Sequence, residues 1–354
     1  MHKTIKKYSA LLLFFLCCLR IFPADLEPDF SKGPLFGKNM YIPFLIHYNF
    51  PSLSARSGRD ADFQYHFSFY YIQDAHYWGK GVTPISRIYD KRLIFRDYEG
   101  CVGEFGFANN VFNDLQIGAD MRVIAYYGGF LDPFMEFFHN TFDFSNGSRE
   151  YFLQNQLYVN IPNDNEISLF LDEDRVSFGD IDIWGKWTFF ENRRVSVAGL
   201  GAYKLPTGKL EYLSGSGSPD IGLGLLSDFR VDRFFSFYAQ AGIVLPLNQK
   251  SYPMFNGLAG LEIHPLDIFS LNVQMNIKTS PISDRSVPWS WNDEYGTYYS
   301  QYSLPQTNLL FGFIIRHKDT RFQLYLEEDA ITNQGADITF NMMFSQSVNL
   351  KSAR

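Results

Sequence analysis

Apolar and polar residues alternate from Ile268 to Lys278, which is typical of an extended strand whose two faces meet different surroundings. The apolar face carries Phe269, Leu271, Val273, Met275 and Ile277, and the polar face carries Ser270, Asn272, Gln274, Asn276 and Lys278. In a soluble sandwich the polar face meets bulk water, whereas in an outer-membrane barrel the apolar face meets lipid and the polar face lines a lumen. This strand fits both folds, so the rest of the chain has to decide between them.

Segments of similar length and alternation recur along the chain and predict about 12 strands, within a range of about 12–14. The predicted strands lie at residues 62–71, within 91–107, and at 115–127, 178–190, 194–205, 219–230, 234–245, 255–264, 268–278, 309–316, 321–328 and 336–344. No Pro-rich or Ser-rich linker divides them, so we expect one domain.

The connections between these strands alternate in length. Short turns are predicted at 109–114, 191–193, 231–233, 265–267 and 317–320, and longer joins at 73–90, 128–177, 206–218, 246–254 and 281–307. Outer-membrane barrels have short periplasmic turns and long external loops, and sandwiches show no such parity. The pattern therefore predicts an all-β protein, an antiparallel transmembrane β-barrel over residues 61–344 with a C-terminal tail at 345–354.

Both ends of the chain carry features of an exported barrel. Basic residues precede an apolar run at 10–22 that ends near the small residue Ala24, so residues 1–24 are predicted to be a signal peptide. The final apolar positions resemble the C-terminal signal recognised by barrel assembly machinery; they are Ile338, Phe340, Met342 and Phe344. We therefore expect the protein in the outer membrane of a Gram-negative-type envelope, with lipid and the assembly machinery as partners.

Composition narrows the class further. Removing the signal takes four of the 31 Lys and Arg residues and none of the 38 Asp and Glu residues, which leaves a net charge of about −11 and disfavours nucleic-acid binding. Of the 3 cysteines only Cys101 would remain, so no intramolecular disulfide is expected. An aromatic content of 18% suits a barrel, which places rings toward lipid and in interfacial girdles.

The region at 25–60 precedes the first strand and contains Pro28, Pro34, Pro43 and Pro51, which predict an irregular segment. Its apolar residues, among them Phe44, Leu45, Ile46, Tyr48 and Phe50, need burial. They can obtain it inside the barrel, where the segment would act as a lumen plug, or against the periplasmic rim.

A long insertion at 128–177 contains phenylalanines at helical spacing, which predict one short helix. Asp132, Glu136 and His139 fall at i, i+4 and i+7, near one face of that helix. A metal site or a proton relay uses such a set, as does a hydrogen-bonded anchor. We expect the helix to fold inward and constrict the lumen, with an outward surface helix as the alternative.

Other candidates lie on the polar faces of strands and in one external join. The predicted lumen residues are Asp120, Arg122, Asp182, Lys186, Gln240, Glu262 and Gln274. The aromatic residues of the join at 281–307 fit stacking on a ligand and an interfacial girdle equally well. They include Trp289, Trp291, Tyr295 and Tyr298.

Several short segments together resemble a family of bacterial outer-membrane proteins of unknown function. The resemblance rests on G-G-F-L-D followed by E-x-F-H within 128–139, on G-P-L at 33–35, on K-L-P-T-G at 204–208 and on L-S-G-S-G at 213–217. It implies an outer-membrane barrel and leaves the bound or transported species open.

These patterns favour a channel or uptake pore for small solutes, apolar ones included, with a partly plugged lumen. A non-conducting surface barrel whose loops bind partners is the alternative. A lipid-acting barrel enzyme is a lesser one, because His66 and Ser68 share a face but lie deep within a strand. We expect no enzymatic activity, cofactor or metal, and the sequence does not predict the oligomeric state.

Overall fold

The computed structural model describes residues 31–57, 62–77, 95–112, 114–142, 153–161, 169–248, 251–281, 290–293, 296–299, 305–329, 336 and 338–349, with backbone alone at 76, 77, 138, 139, 142, 290–293 and 296–299. The predicted signal peptide at 1–24 lies outside these residues. So do the start of the predicted segment at 25–60 and most of the long join at 73–90.

Strands dominate the described residues. In chain order they are β1 (Phe63–Tyr77), β2 (Phe95–Phe112), β3 (Leu115–Tyr127), β4 (Tyr158–Ile161), β5 (Leu169–Leu171), β6 (Arg175–Phe178), β7 (Ile181–Glu191), β8 (Val195–Leu205), β9 (Asp220–Arg230), β10 (Phe235–Pro246), β11 (Met254–Ile263), β12 (Phe269–Lys278), β13 (Ser290–Asp293), β14 (Gly296–Tyr299), β15 (Gln306–His317), β16 (Thr320–Asp329) and β17 (Ile338–Val348). An α-helix, α1, spans Asp132–Phe142, and single 3-10 turns occur at Phe44–Ile46 and Leu210–Tyr212.

Over the described ranges, twelve of these strands form a closed antiparallel barrel. Each pairs with its neighbours in the order β1, β2, β3, β7 to β12, β15, β16 and β17, and β17 pairs back with β1. This closure leaves no open edge in the ring. The predicted fold, a barrel of about 12 strands, is confirmed. No helix within the described ranges has the length and apolarity needed to cross a membrane.

Side chains on β12 separate by face. Leu271, Val273 and Ile277 are exposed on the outside, whereas Asn272 and Gln274 are buried inside. Because successive side chains of a strand point to opposite faces, the same separation runs around the barrel. An apolar outer surface of this kind meets lipid in outer-membrane barrels.

Some element bounds differ from those predicted. The last strand, β17, continues past Phe344 to Val348, because Ser345 and Gln346 keep pairing with β1 and the Gln346 side chain bonds Thr320 Oγ1 at 2.6 Å. The predicted tail at 345–354 therefore begins later. The insertion at 128–177 contains the predicted helix as α1, together with the strands β4, β5 and β6, which are too short to show a period.

Candidate functional site

The barrel lumen is occupied by residues 31–57, here called the inner segment. It lies close to Glu262 and Arg321 near the short-turn end of the barrel, reaches Asp220 at the long-loop end, and returns to Glu191 near the short turns. Nearly all of its residues are buried. The inner segment is therefore a loop inside the barrel that runs up the lumen and back down.

The ascending part is bound through its backbone as well as its side chains. The backbone N–H of Lys32 donates to Glu262 at 2.8 Å. Gln323 bonds both backbone groups of Phe36, accepting from N at 2.9 Å and donating to O at 2.6 Å. Irregular backbone inside a barrel needs such partners, because it has no neighbouring strand to supply them.

Lys38 is at the centre of a buried ionic cluster. Its ammonium group lies 2.8 Å from carboxylate oxygens of both Glu104 and Asp120, and 3.5 Å from Asp182. Arg122 approaches Asp182 at 3.3 Å from the wall. Three carboxylates thus surround the buried ammonium group of Lys38 and supply the opposite charge that its burial requires.

His66 extends this cluster on β1. Its Nε2 lies 3.6 Å from Glu104 and 3.7 Å from Asp120, and its ring packs against Phe36 of the inner segment with centroids 4.6 Å apart. Gly106 makes room for this arrangement, since a Cβ there would lie 2.1 Å from the His66 ring. The cluster therefore joins four strands of the wall, β1, β2, β3 and β7, to the ascending part of the inner segment.

The inner segment turns at the long-loop end, at Phe44–Ile46. Beyond the turn, Asp220 of the wall accepts a hydrogen bond from the backbone N–H of Tyr48 at 2.7 Å, and it lies 3.3 Å from His47 Nδ1. The side chain of Asp220 therefore holds two consecutive residues of the inner segment just beyond its turn.

The loop at 206–218 closes over this turn. Lys204 donates to Ile46 O at 3.1 Å and to Asp180 at 2.5 Å, and the backbone N–H of Ser216 also donates to Ile46 O, at 3.0 Å. Tyr126 donates to the carbonyl of Leu213 at 2.9 Å. The two motifs at 204–208 and 213–217 thus form a loop that folds back on the inner segment.

The descending part is held by side chains of β7 and β12. Lys278 bonds the side chain of Asn49, and Gln274 donates to Ser52 Oγ at 2.9 Å. Lower down, Lys186 donates to the carbonyls of Ser54 and Arg56 at 2.9 and 2.8 Å, Thr188 to Ala55 O at 2.8 Å, and Glu191 accepts from Ser57. Both parts of the segment are therefore anchored along their length.

Little space remains between the inner segment and the wall. A cavity of about 30 Å³ lies between Lys38, Asn49 and the wall residues Gln240, Asn276 and Lys278. That volume holds about one or two water molecules. At this level the inner segment and the wall residues therefore fill the lumen densely.

The predicted lumen residues all lie on the inner face of the wall. Asp120, Arg122, Asp182, Lys186, Glu262 and Gln274 contact the inner segment directly, and Gln240 lines the small cavity. They belong to five strands and do not converge on one point. They contact the inner segment from several sides of the lumen.

The structure corrects the expected position of α1. Phe134 and Phe137 are more than half exposed, so the helix lies outside the lumen. Asp132 accepts hydrogen bonds from the backbone N–H of Asn155 at 2.7 Å and from Gln73 at 3.3 Å, and the amide of Gln154 donates to Glu136 at 3.2 Å. The side chain of His139 lies outside the described residues. In the described part of the chain no group of His, Cys, Asp or Glu side chains is arranged to hold a metal ion.

The candidates of the external join are only partly described. Trp291 and Tyr298 pair across the β13–β14 hairpin, and their side chains are not described. Trp289 and Tyr295 lie outside the described residues.

Sequence reasoning missed much of the ionic site. Glu104, Lys204 and Asp220 alternate with outward apolar or small residues, so strand parity was a usable signal for them. Lys38 and His47 lie in irregular backbone, where no period indicates the direction of a side chain.

Comparison with known proteins agrees with this architecture. The model of a family described as "Protein of unknown function (DUF3187)" matches residues 83–290. No functionally curated protein matches the sequence.

Among solved structures, the fold is similar to the COG4313 outer membrane channel from Pseudomonas putida F1, with a TM-score of 0.50, 8% identity, and coverage of 82% of this chain and 97% of that one. A KdgM porin gives a TM-score of 0.42 at 6% identity, covering 80% and 99% of the two chains. The P. putida toluene transporter TodX gives 0.38 at 8%, covering 81% and 90%. At such identities the first likeness shows the fold alone, an outer-membrane type of barrel.

Proposed function

The chain belongs to the DUF3187 family of proteins of unknown function, and we propose that it is an outer-membrane channel for small solutes whose lumen is closed by its own inner segment. The observation that carries this proposal is the occupation of the lumen by residues 31–57. The contacts between segment and wall are hydrogen bonds, ion pairs and apolar packing, which can break and form again. Movement of the segment would then open the pore.

The wall behind the inner segment carries both aromatic and charged side chains, which bear on the kind of solute that could pass. Tyr70, Tyr98, Tyr126 and Tyr325 are buried on the wall and pack with apolar residues of the segment, beside the ionic cluster around Lys38. Tyrosine offers an apolar ring and a polar hydroxyl in one side chain. We therefore propose small uncharged solutes with an apolar portion as the class that passes.

Planar-bilayer conductance tests the channel. The full chain should be closed most of the time and open only briefly. A variant lacking residues 31–57 should conduct steadily, because the lumen of that variant is filled with water. A matched control replaces 31–57 by a Gly/Ser linker of equal length, which stays flexible and lacks the ionic contacts. That control should also conduct. The rate at which liposomes swell in solutions of small neutral solutes would then rank these solutes by how fast they pass.

One observation favours a second function, that of a non-conducting barrel whose loops bind a partner. The cavity beside the inner segment is about 30 Å³, so the closed form is densely packed. If neither the deletion nor the linker variant conducts while both remain folded barrels, the channel proposal is wrong and this alternative replaces it.

The proposed channel carries out no chemical step. His66 and Ser68 face the lumen, where Phe36 and the ionic cluster surround His66 and Ser68 is buried. Phospholipid hydrolysis by the purified protein that is lost in His66→Ala would contradict this part of the proposal.

A further inference from the structure

The turn before α1 folds over the outer face of the barrel. Its backbone N–H groups at Phe130 and Leu131 donate to one carboxylate oxygen of Glu99, at 2.8 and 2.6 Å. Gly129 passes so close to Glu99 that a Cβ at this glycine would lie 2.0 Å from the carboxyl carbon. Gly129 also has a φ of +83°, which favours glycine. The turn is therefore fixed to Glu99.

The strand register shows that Glu99 points outward. It pairs with Gln73 on β1 and Tyr127 on β3, and all three have the same parity as the exposed Phe67, Phe105 and Met121. Because side chains alternate between faces along a strand, Glu99 belongs to the outer surface. Its burial results from the turn at 128–131, which covers it from outside.

The helix that follows is amphipathic. Asp132 and Met135 are buried, and Asp132 bonds Gln73 on the outer face of β1. On the other side, Phe130, Phe134 and Phe137 are 66%, 56% and 66% exposed. Phe134 and Phe137 lie three positions apart, so they share one helix face. One face of α1 is thus fixed near the barrel, and the opposite face presents phenylalanine to the surroundings.

The apolar surface of the barrel reaches the level of this helix. Val176 and Phe178 on β6 are 70% and 76% exposed, and they pair with Ala125 and Val123 on the outer side of β3. Tyr127, which pairs with Glu99, is two residues above Ala125, a rise of about 7 Å. The phenylalanines of α1 therefore continue the lipid-facing belt at its external edge.

We propose that α1 is an interfacial anchor, whose phenylalanine face inserts among the lipid acyl chains at the external edge of the barrel. An amphipathic helix at a membrane boundary binds by burying its apolar face at the headgroup and acyl border. A soluble partner or a second copy of the chain would compete for the same face. Lipid is the occupant favoured by continuity with the belt.

Site-directed spin labelling tests this anchor in the full-length chain, reconstituted in phosphatidylcholine vesicles. Labels are placed by Phe134→Cys and Phe137→Cys in a background in which Cys17, Cys18 and Cys101 are replaced by Ser, and their collision rates with oxygen and with a water-soluble nickel complex are compared. Met121→Cys on the outer face of β3 provides the lipid-facing standard. Lys209→Cys, on a loop residue more than half exposed, provides the aqueous standard.

The labels at 134 and 137 should resemble the label at 121, with an oxygen-to-nickel ratio several-fold above that at 209. A ratio equal to that at 209 would show a helix surrounded by water and overturn the proposal. Low access to both reagents, together with dipolar broadening that grows with protein-to-lipid ratio, would assign the face to a second copy. That result would equally overturn it.

Discussion

Lys38 connects the inner segment to three carboxylates of the wall, Glu104, Asp120 and Asp182. Removing one partner of a buried ion pair costs about 3–5 kcal/mol, which is a factor of about 100 or more in an opening equilibrium. We therefore predict that Lys38→Met increases the open probability of the channel strongly. Single-channel recordings of wild-type and variant protein under the same salt conditions measure this.

The matched control for that change is Lys209→Met, which removes an equal charge from a solvent-exposed side chain. Exposed ion pairs contribute little, so its recordings should match those of the wild type. Equal open probability in both variants and the wild type would mean that the cluster around Lys38 does not hold the segment in place.

The direction of individual side chains was predictable where strands are regular. Parity alone directs Asp120, Arg122, Asp182 and Gln274 to the polar face, and the structure has them inside the barrel. Parity does not predict that these side chains bind the inner segment rather than water, because their partners come from residues 31–57. That pairing is set by tertiary contacts more than 60 residues apart in sequence, as between Lys38 and Glu104.

At the level of elements, β12 tests the orientation of the wall. Val273 is exposed on the outer face and Gln274 donates to Ser52 of the inner segment. Arginine on a lipid face near the bilayer midplane costs about 2–4 kcal/mol. We predict that Val273→Arg lowers the yield of folded barrel and its urea-unfolding midpoint, measured in lipid by the shift in gel migration.

Gln274→Leu is the companion change on the lumen side. It should assemble with near wild-type yield, because it leaves the lipid face intact, and its effect should appear in conductance through the lost bond to Ser52. Equal yields for the two variants would mean that the faces of β12 are assigned wrongly.

The sequence predicted the helix α1 but not the side of the barrel wall on which it lies. Phenylalanines at helical spacing predicted the helix, and they do not distinguish a lumen from a lipid boundary, since both can cover an apolar face. The distinguishing contact is the carboxylate of Glu99, bound to the turn at 128–131 from the outer side of β2. A glutamate on an outward position of a barrel strand is a usable signal of such a cover, because lipid would not solvate it.

For the whole molecule, the turn lengths were sufficient to predict a barrel. They did not predict what fills its lumen. Alternating short turns and long joins depend on local sequence, and they are typical of the barrels of outer membranes. The inner segment has no period, and its apolar residues fit a lumen or a rim equally well from sequence alone. Its position is decided by many polar contacts distributed over the wall, such as those of Glu262, Asp220 and Asp228.

The ring of strands closes through pairing between neighbours, and the inner segment contributes no strand to it. We therefore predict that a chain lacking residues 31–57 still inserts as a barrel and keeps the heat-modifiable gel migration of a folded one. Its unfolding temperature should fall, because the apolar packing and hydrogen bonds between segment and wall are lost. The wall carboxylates would be hydrated by water in the emptied lumen, so they need not prevent folding. If the shortened chain shows no heat-modifiable form under conditions that fold the full chain, the inner segment is required for assembly, and conductance would have to be tested through Lys38→Met instead.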